Sequence, residues 1–236
     1  MDQGAYRIDE LAWPGIGQAL DTSGYAVVRG LASAQACAAL AACYEDDSRF
    51  RSRIVMQRHG FGQGEYKYFD YPLPDLVACL RTRLYPHLVP IARRWYASMA
   101  IPVEFPLEHQ AFLARCHGAG QQRQTSLLVR YGAGDYNCLH QDLYGEHVFP
   151  LQAVLLLAEP GRDFSGGELV LTEQRPRMQS RVEVVPLKQG DLVIFASQYR
   201  PVAGVRGSYR VNMRHGVSRV RSGQRHTLGI IFHDAS

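Results

Sequence analysis

Between Pro74 and Trp95 the apolar residues Leu76, Leu80, Leu84, Leu88 and Ile91 recur every three or four positions, a spacing that predicts one long amphipathic helix. Upstream, Gly24-Tyr25-Ala26-Val27-Val28-Arg29-Gly30 reads as a short strand. Ser33 is placed to cap an Ala-rich helix ending near Tyr44, and a further helix is expected over 107–116. From Ser126 the texture changes to short apolar runs punctuated by Gly, Pro, Asp and Ser. Strands are expected at 126–131, 139–143, 152–157, 168–172, 182–186, 191–196, 210–217 and 225–232. Residues 46–73 follow neither period; their arginines, glycines and aromatics read as a lid or binding loop. The expected architecture is mostly β with N-terminal helices: a jelly roll over 126–232, buttressed by the helical and lid half 1–125 within a single domain.

Composition changes this picture little. At 236 residues with 46% apolar residues, the chain has an ordinary globular make-up. No apolar run reaches the ~18 residues of a membrane span, and Met1-Asp2-Gln3-Gly4-Ala5-Tyr6 lacks the layout of a signal peptide. Cys37, Cys43, Cys79, Cys116 and Cys138 are odd in number and form no C-x-x-C, so a reducing cytoplasm is expected. Charge informs by position. Only two of the 26 Lys and Arg residues are lysine, and no Asp or Glu occurs between Leu192 and His233, where seven arginines fall. Such a basic end can meet phosphates or form a cationic strand edge that blocks sheet-to-sheet pairing.

The candidate chemistry lies in the β half. His140-Gln141-Asp142 sets an imidazole and a carboxylate two residues apart, hence on one face of an extended strand. With His215 they make a two-histidine, one-carboxylate set of the kind that holds non-haem Fe(II) and leaves positions open for a co-substrate and O2.

Residues 126–232 resemble the double-stranded β-helix of the 2-oxoglutarate- and Fe(II)-dependent oxygenases, with spacing like the prolyl-4-hydroxylase-like branch. The elements occur in order: Tyr131 and Gly134, His140 and Asp142, Gly166-Gly167-Glu168-Leu169, Pro186 to Phe195, then His215 and Arg225 ten residues later. Tyr131 to His140-Gln141-Asp142 also resembles the AlkB-like oxidative DNA dealkylases. Val129 departs from that pattern, where those enzymes carry Asn, and so does the absence of their second Arg six residues beyond Arg225. The whole chain is similar to a bacterial oxygenase family proposed to act on nucleic acids.

The resemblance implies that His140, Asp142 and His215 hold Fe(II). It also implies that Arg225, with Thr227 and Tyr131, receives the co-substrate 2-oxoglutarate, and that O2 is consumed with release of succinate and CO2. Arg225 suits the role because its planar guanidinium binds a carboxylate bidentately. For the substrate, two classes stay open: a modified nucleobase, or a protein side chain or small metabolite. The first would use Arg53, Arg58, Tyr66 and Tyr68 as a cationic, aromatic lid, with Asn137, Gln141 and Tyr144 beside the metal strand. Non-catalytic binding is a third possibility, which the intact triad and Arg225 disfavour. His147, His226 and His233 do not fit the ligand spacing and are expected to be structural or exposed.

Overall fold

The computed structural model describes residues 7–204 and 207–236. The chain opens with α1 (Trp13–Ser23), β1 (Tyr25–Val28) and α2 (Ala34–Ala42). Next come β2 (Phe50–Val55), a 3-10 turn at Met56–His59, the two-residue β3 (Gly62–Gln63) and β4 (Glu65–Phe69). The helices α3 (Asp75–Ser98) and α4 (His109–Gly118) precede β5 (Leu127–Tyr131), β6 (Tyr136–His140) and β7 (Leu151–Leu156). After these run β8 (Phe164–Gly166), β9 (Leu169–Gln174), β10 (Arg181–Val185) and β11 (Leu192–Ala196). The chain ends with β12 (Tyr199–Gly204), β13 (Gly207–Val217), β14 (Val220–Gly223) and β15 (Arg225–Ile230).

The strands form two main sheets. The larger has the order β1-β11-β7-β15-β5-β4-β2; the smaller runs β10-β9-β13-β6-β3, with β12 also on β13. Side chains on successive residues of a strand point to opposite faces, and this divides the core. On β11, Leu192 and Ile194 join the helices, whereas Val193 and Phe195 join Leu169 and Leu171 of the smaller sheet. A strand covered on both faces reads as an unbroken apolar run. On β15 the same alternation turns Leu228 and Ile230 to the helices and leaves Arg225 and Thr227 facing the space between the sheets.

The helices follow from local signals. The Ser33 hydroxyl accepts the Ala36 amide at 3.2 Å, capping α2, and α3 buries Leu80, Leu84 and Leu88 as its periodicity predicts. The helix α1 was not anticipated. Pro14 stands in its first turn, Gly15 and Gly17 dilute its pattern, and it buries only Ile16, Gly17 and Leu20.

Two expectations need correction. Residues 46–73 are mostly sheet rather than an irregular loop: β2 and β4 pair with each other and extend the larger sheet from β5, leaving the turn between them at the cavity mouth. The period of two in β4 is hidden because its helix side carries Lys67 beside Phe69. The Lys67 ammonium is buried on the Tyr44 carbonyl and Asp47, both at 2.6 Å, beneath the Tyr44 ring. The strand expected at 139–143 instead ends at His140. Beyond it, the Gln141 side-chain amide donates to Asn212 Oδ1 at 2.6 Å and to the Met213 carbonyl at 2.8 Å. No described helix is long and apolar enough to cross a membrane.

Candidate metal centre and co-substrate pocket

Pairing of β6 with β13 places His140 directly opposite His215. Their rings lie 4.1 Å apart between centroids, and Asp142, just past the end of β6, closes the group. Its Oδ2 is 3.2 Å from His215 Nε2 and its Oδ1 is 3.6 Å from His140 Nε2. One ligand atom from each of the three residues can be chosen so that all lie within 4.8 Å of one another. Two imidazole nitrogens and a carboxylate oxygen converging in this way fit a divalent first-row metal.

Each of the three side chains is braced from behind. The Cys138 carbonyl accepts from His140 Nδ1 at 2.8 Å, which leaves Nε2 to face the metal position. The Gln152 side-chain amide sits 3.4 Å from both ring nitrogens of His215. The Tyr144 hydroxyl donates to Asp142 Oδ1 at 2.7 Å and accepts from the Tyr68 hydroxyl at 3.1 Å.

Electrostatics supports the same protonation states. Burial works against the charged form of Asp142, but the His215 and His140 rings and the Tyr144 hydroxyl outweigh it and hold the carboxyl well below its usual range. Burial, reinforced by His215, pushes His140 down and keeps it neutral. Burial and then the Asp142 charge push the Tyr144 phenol far up, so it remains a donor. An ionised carboxylate and a neutral imidazole are the forms that metal binding requires. Removing the Tyr144 hydroxyl leaves Asp142 Oδ1 without its fixed donor. Tyr144→Phe is therefore expected to weaken Fe(II) or Co(II) binding by about tenfold or more, read by calorimetric titration. Unchanged affinity would show that the hydroxyl does not support the ligand.

A cavity of about 220 Å³ adjoins the triad and is also lined by Arg225, Thr227 and Tyr131. Arg225 stands opposite Tyr131 in the β15–β5 ladder, only 2% exposed, with its guanidinium 5.7 Å from the Tyr131 ring centre. Its Nε has no hydrogen-bond partner, and no ion pair to it is found among the described residues. Burial pushes its pKa down to about 10, so it stays charged at neutral pH. A buried cation without a counter-charge is costly, and an anionic ligand would relieve that cost. Gly167 makes room for the arginine side chain: φ is +65° there, and a Cβ would come within 2.9 Å of Arg225 Cδ.

Of the other expected site residues, Asn137, Gln141, Tyr144 and Tyr66 line this cavity, while Arg53, Arg58 and Tyr68 do not. Arg53 is ion-paired with Glu65, and Tyr68 is a buried wall residue behind Tyr144. Arg58 is exposed on the 3-10 turn. His233 is buried, its Nδ1 accepting the Phe149 amide at 3.3 Å, as a structural role requires. Sequence reasoning missed Met56, Phe61 and Gln152, all of which line the cavity. Only Gln152 left a signal, as a lone polar residue inside the apolar run of β7.

The arginine-rich end divides on folding. Arg225 faces the cavity, Arg200 is buried on Glu173, and Arg210 donates to the Met99 carbonyl at 3.3 Å. Arg214, Arg219 and Arg221 are exposed, and Arg206 lies outside the described residues.

Comparison with known proteins agrees with this geometry. An uncharacterized protein of Mycobacterium tuberculosis is 48% identical over 168 residues, which cover 71% of this chain and 72% of that protein. In fold, the chain is similar to a prolyl-4-hydroxylase from Pseudomonas putida, with TM-score 0.51, 18% identity and coverage of 95% of this chain and 99% of that one. It is likewise similar to a prolyl hydroxylase from Trichoplax adhaerens in complex with a peptide fragment of hypoxia inducible factor, with TM-score 0.59, 13% identity and coverage of 95% and 94%. Residues 64–235 match the Oxygenase-NA family, described as an oxygenase catalysing oxidative methylation of damaged DNA. That match takes in the His140, Asp142 and His215 triad and the buried Arg225, so the chain belongs to the Oxygenase-NA family and is an oxygenase.

Proposed function

We propose that the protein oxidises a methylated nucleobase in DNA, with His140, Asp142 and His215 as the Fe(II) ligands and Arg225 as the anchor for 2-oxoglutarate. The observation that carries this reading is the buried Arg225, without a hydrogen-bond or ion-pair partner among the described residues, on the same small cavity as the triad. Thr227 is two residues from Arg225 on the same strand and also lines the cavity, so its hydroxyl can add a second donor to the same carboxylate. The Tyr131 ring forms the wall beneath the guanidinium.

When bound, iron and 2-oxoglutarate supply the oxidation: one oxygen atom of O2 enters a substrate C–H bond and the other enters succinate, with loss of CO2. On an N-methyl group the product is a hydroxymethyl amine, which releases formaldehyde and restores the N–H. The chain's own work is binding, orientation and exclusion of water. Met56, Phe61, Leu169 and Val217 give the cavity an apolar lining, and the braced ligands keep Asp142 ionised and His140 neutral before any substrate arrives.

The nucleic-acid reading draws support from the family description and from the exposed arginines. All five cysteines are free, which fits a reducing cytoplasm as the place of action. The test is succinate formation from 2-oxoglutarate and Fe(II), with and without a methylated single-stranded oligonucleotide, while formaldehyde is followed in the same tubes. Stimulated succinate matched by formaldehyde is expected. Succinate that ignores the oligonucleotide but rises with a peptide or small metabolite would replace this reading with a hydroxylase of that class.

A further inference from the structure

Beside the cavity lies an edge that combines exposed aromatic rings with exposed cations. The turn after β2 carries His59 and Phe61, whose rings stack 5.3 Å apart at 22°. Phe61 is 46% exposed and yet lines the cavity. The turn is tied to β6: the Phe61 carbonyl accepts the Cys138 amide at 2.9 Å, and Gly62 and Gln63 pair with Asn137 and Tyr136. On the other side, Val220 exchanges backbone hydrogen bonds of 2.8 Å with Gly134 and Asp135. That brings Arg219 over the Tyr136 ring, 5.5 Å from its centre. Two aromatic platforms, one of them opening into the cavity, thus share a single edge.

Arg58 and Arg219 supply positive charge there, and Arg58 has no hydrogen-bond or ion-pair partner among the described residues. The two nearby carboxylates are engaged locally: Asp135 accepts the Gly132 amide at 2.8 Å, and Glu168 accepts from the Ser218 hydroxyl. Exposed rings at Phe61 and His59, a half-buried ring at Tyr136 and the exposed Arg58 and Arg219 suit a ligand with alternating flat bases and phosphates. Stacking on such rings needs bases that are not already stacked in a duplex.

We propose that this edge is a track for single-stranded DNA. A base adjoining the target stacks on the Phe61–His59 pair, its phosphates meet Arg58 and Arg219, and the target base enters the cavity past Phe61. The inference rests on the nucleic-acid reading above and adds the strandedness of the substrate and the residues that select it. It also moves the grip from Arg53, Tyr66 and Tyr68 to residues outside the barrel wall.

The test is fluorescence anisotropy of a labelled oligonucleotide carrying one methylated base, as single strand and as duplex. The full chain is used with Fe(II) and 2-oxoglutarate under nitrogen. The single strand is expected to bind more tightly than the duplex. Phe61→Ala is expected to weaken single-strand binding by about tenfold, and Arg219→Ala to lower the salt slope by about 0.7. Arg177→Ala removes an exposed cation from the β9–β10 turn, at the other edge of the smaller sheet, and is expected to leave binding unaltered. Phe61 and Arg219 are exposed, and thermal melts of their variants confirm the fold. If the wild type binds single strands while both rim variants bind equally well, the track is wrong and the nucleic-acid reading survives. Equal affinity for duplex overturns the strand preference. No binding of either form by the wild type overturns the reading and the track together.

Discussion

Asp142→Ala is expected to abolish 2-oxoglutarate turnover and to reduce Fe(II) affinity by more than the 10–100-fold that loss of an outer-shell partner costs. Asp142 is the triad's only negative charge, and with Ala there two neutral imidazoles must hold a divalent ion alone. Its two oxygens have separate duties: Oδ1 accepts from Tyr144 at 2.7 Å, while Oδ2 lies 3.2 Å from His215 Nε2. The informative companion is Asp142→Asn, which keeps the shape and an acceptor for the Tyr144 hydroxyl but removes the charge. Both variants are expected to lose metal binding by calorimetry and succinate formation. Retention of full turnover by either would mean that the metal is held elsewhere.

Arg225→Ala is expected to raise the 2-oxoglutarate concentration for half-maximal succinate formation by about 100-fold, the effect of losing one side of a buried charge pair worth about 3 kcal/mol. The separation of effects is the stronger check. In the free protein the guanidinium is buried with an unpaired Nε, so it opposes folding rather than helping it. Arg225→Met, which roughly fills the space without the charge, is therefore expected to melt no lower than the wild type in the absence of 2-oxoglutarate. The wild type gains thermal stability as 2-oxoglutarate is added, and the variant is expected to gain none. Arg225→Lys keeps the charge but not the fork, and should fall between. An unchanged half-saturating concentration in Arg225→Ala would remove this residue from the co-substrate site.

Reading along the chain served best where the local period is strong. The helix at 75–98 and the strand 192–196 were legible because each buries a regular set of side chains, on one stripe or on both faces. It served worst at β4, where Lys67 occupies a buried position normally filled by an apolar residue. That position is tolerable only because Tyr44 and Asp47, from another part of the chain, receive the ammonium. Phe61 was illegible for a different reason. Nothing in Gly60-Phe61-Gly62 indicates that its turn is sewn to β6 and borders the cavity.

The chemistry of the site was carried by the sequence itself: two histidines, an aspartate and an arginine at spacings that a jelly roll can bring together. Residue type determines which atoms can bind a metal or a carboxylate, and short spacings determine which side chains share a strand face. Tertiary structure decided the rest. It set His140 against His215 and Arg225 against Tyr131, left Arg225 without a partner among the described residues, and bound Arg53 to Glu65 while leaving Arg58 exposed. Those outcomes depend on register between strands far apart in the chain. Register is a property of the assembled sheets, in which a shift of one residue would turn every side chain to the opposite face.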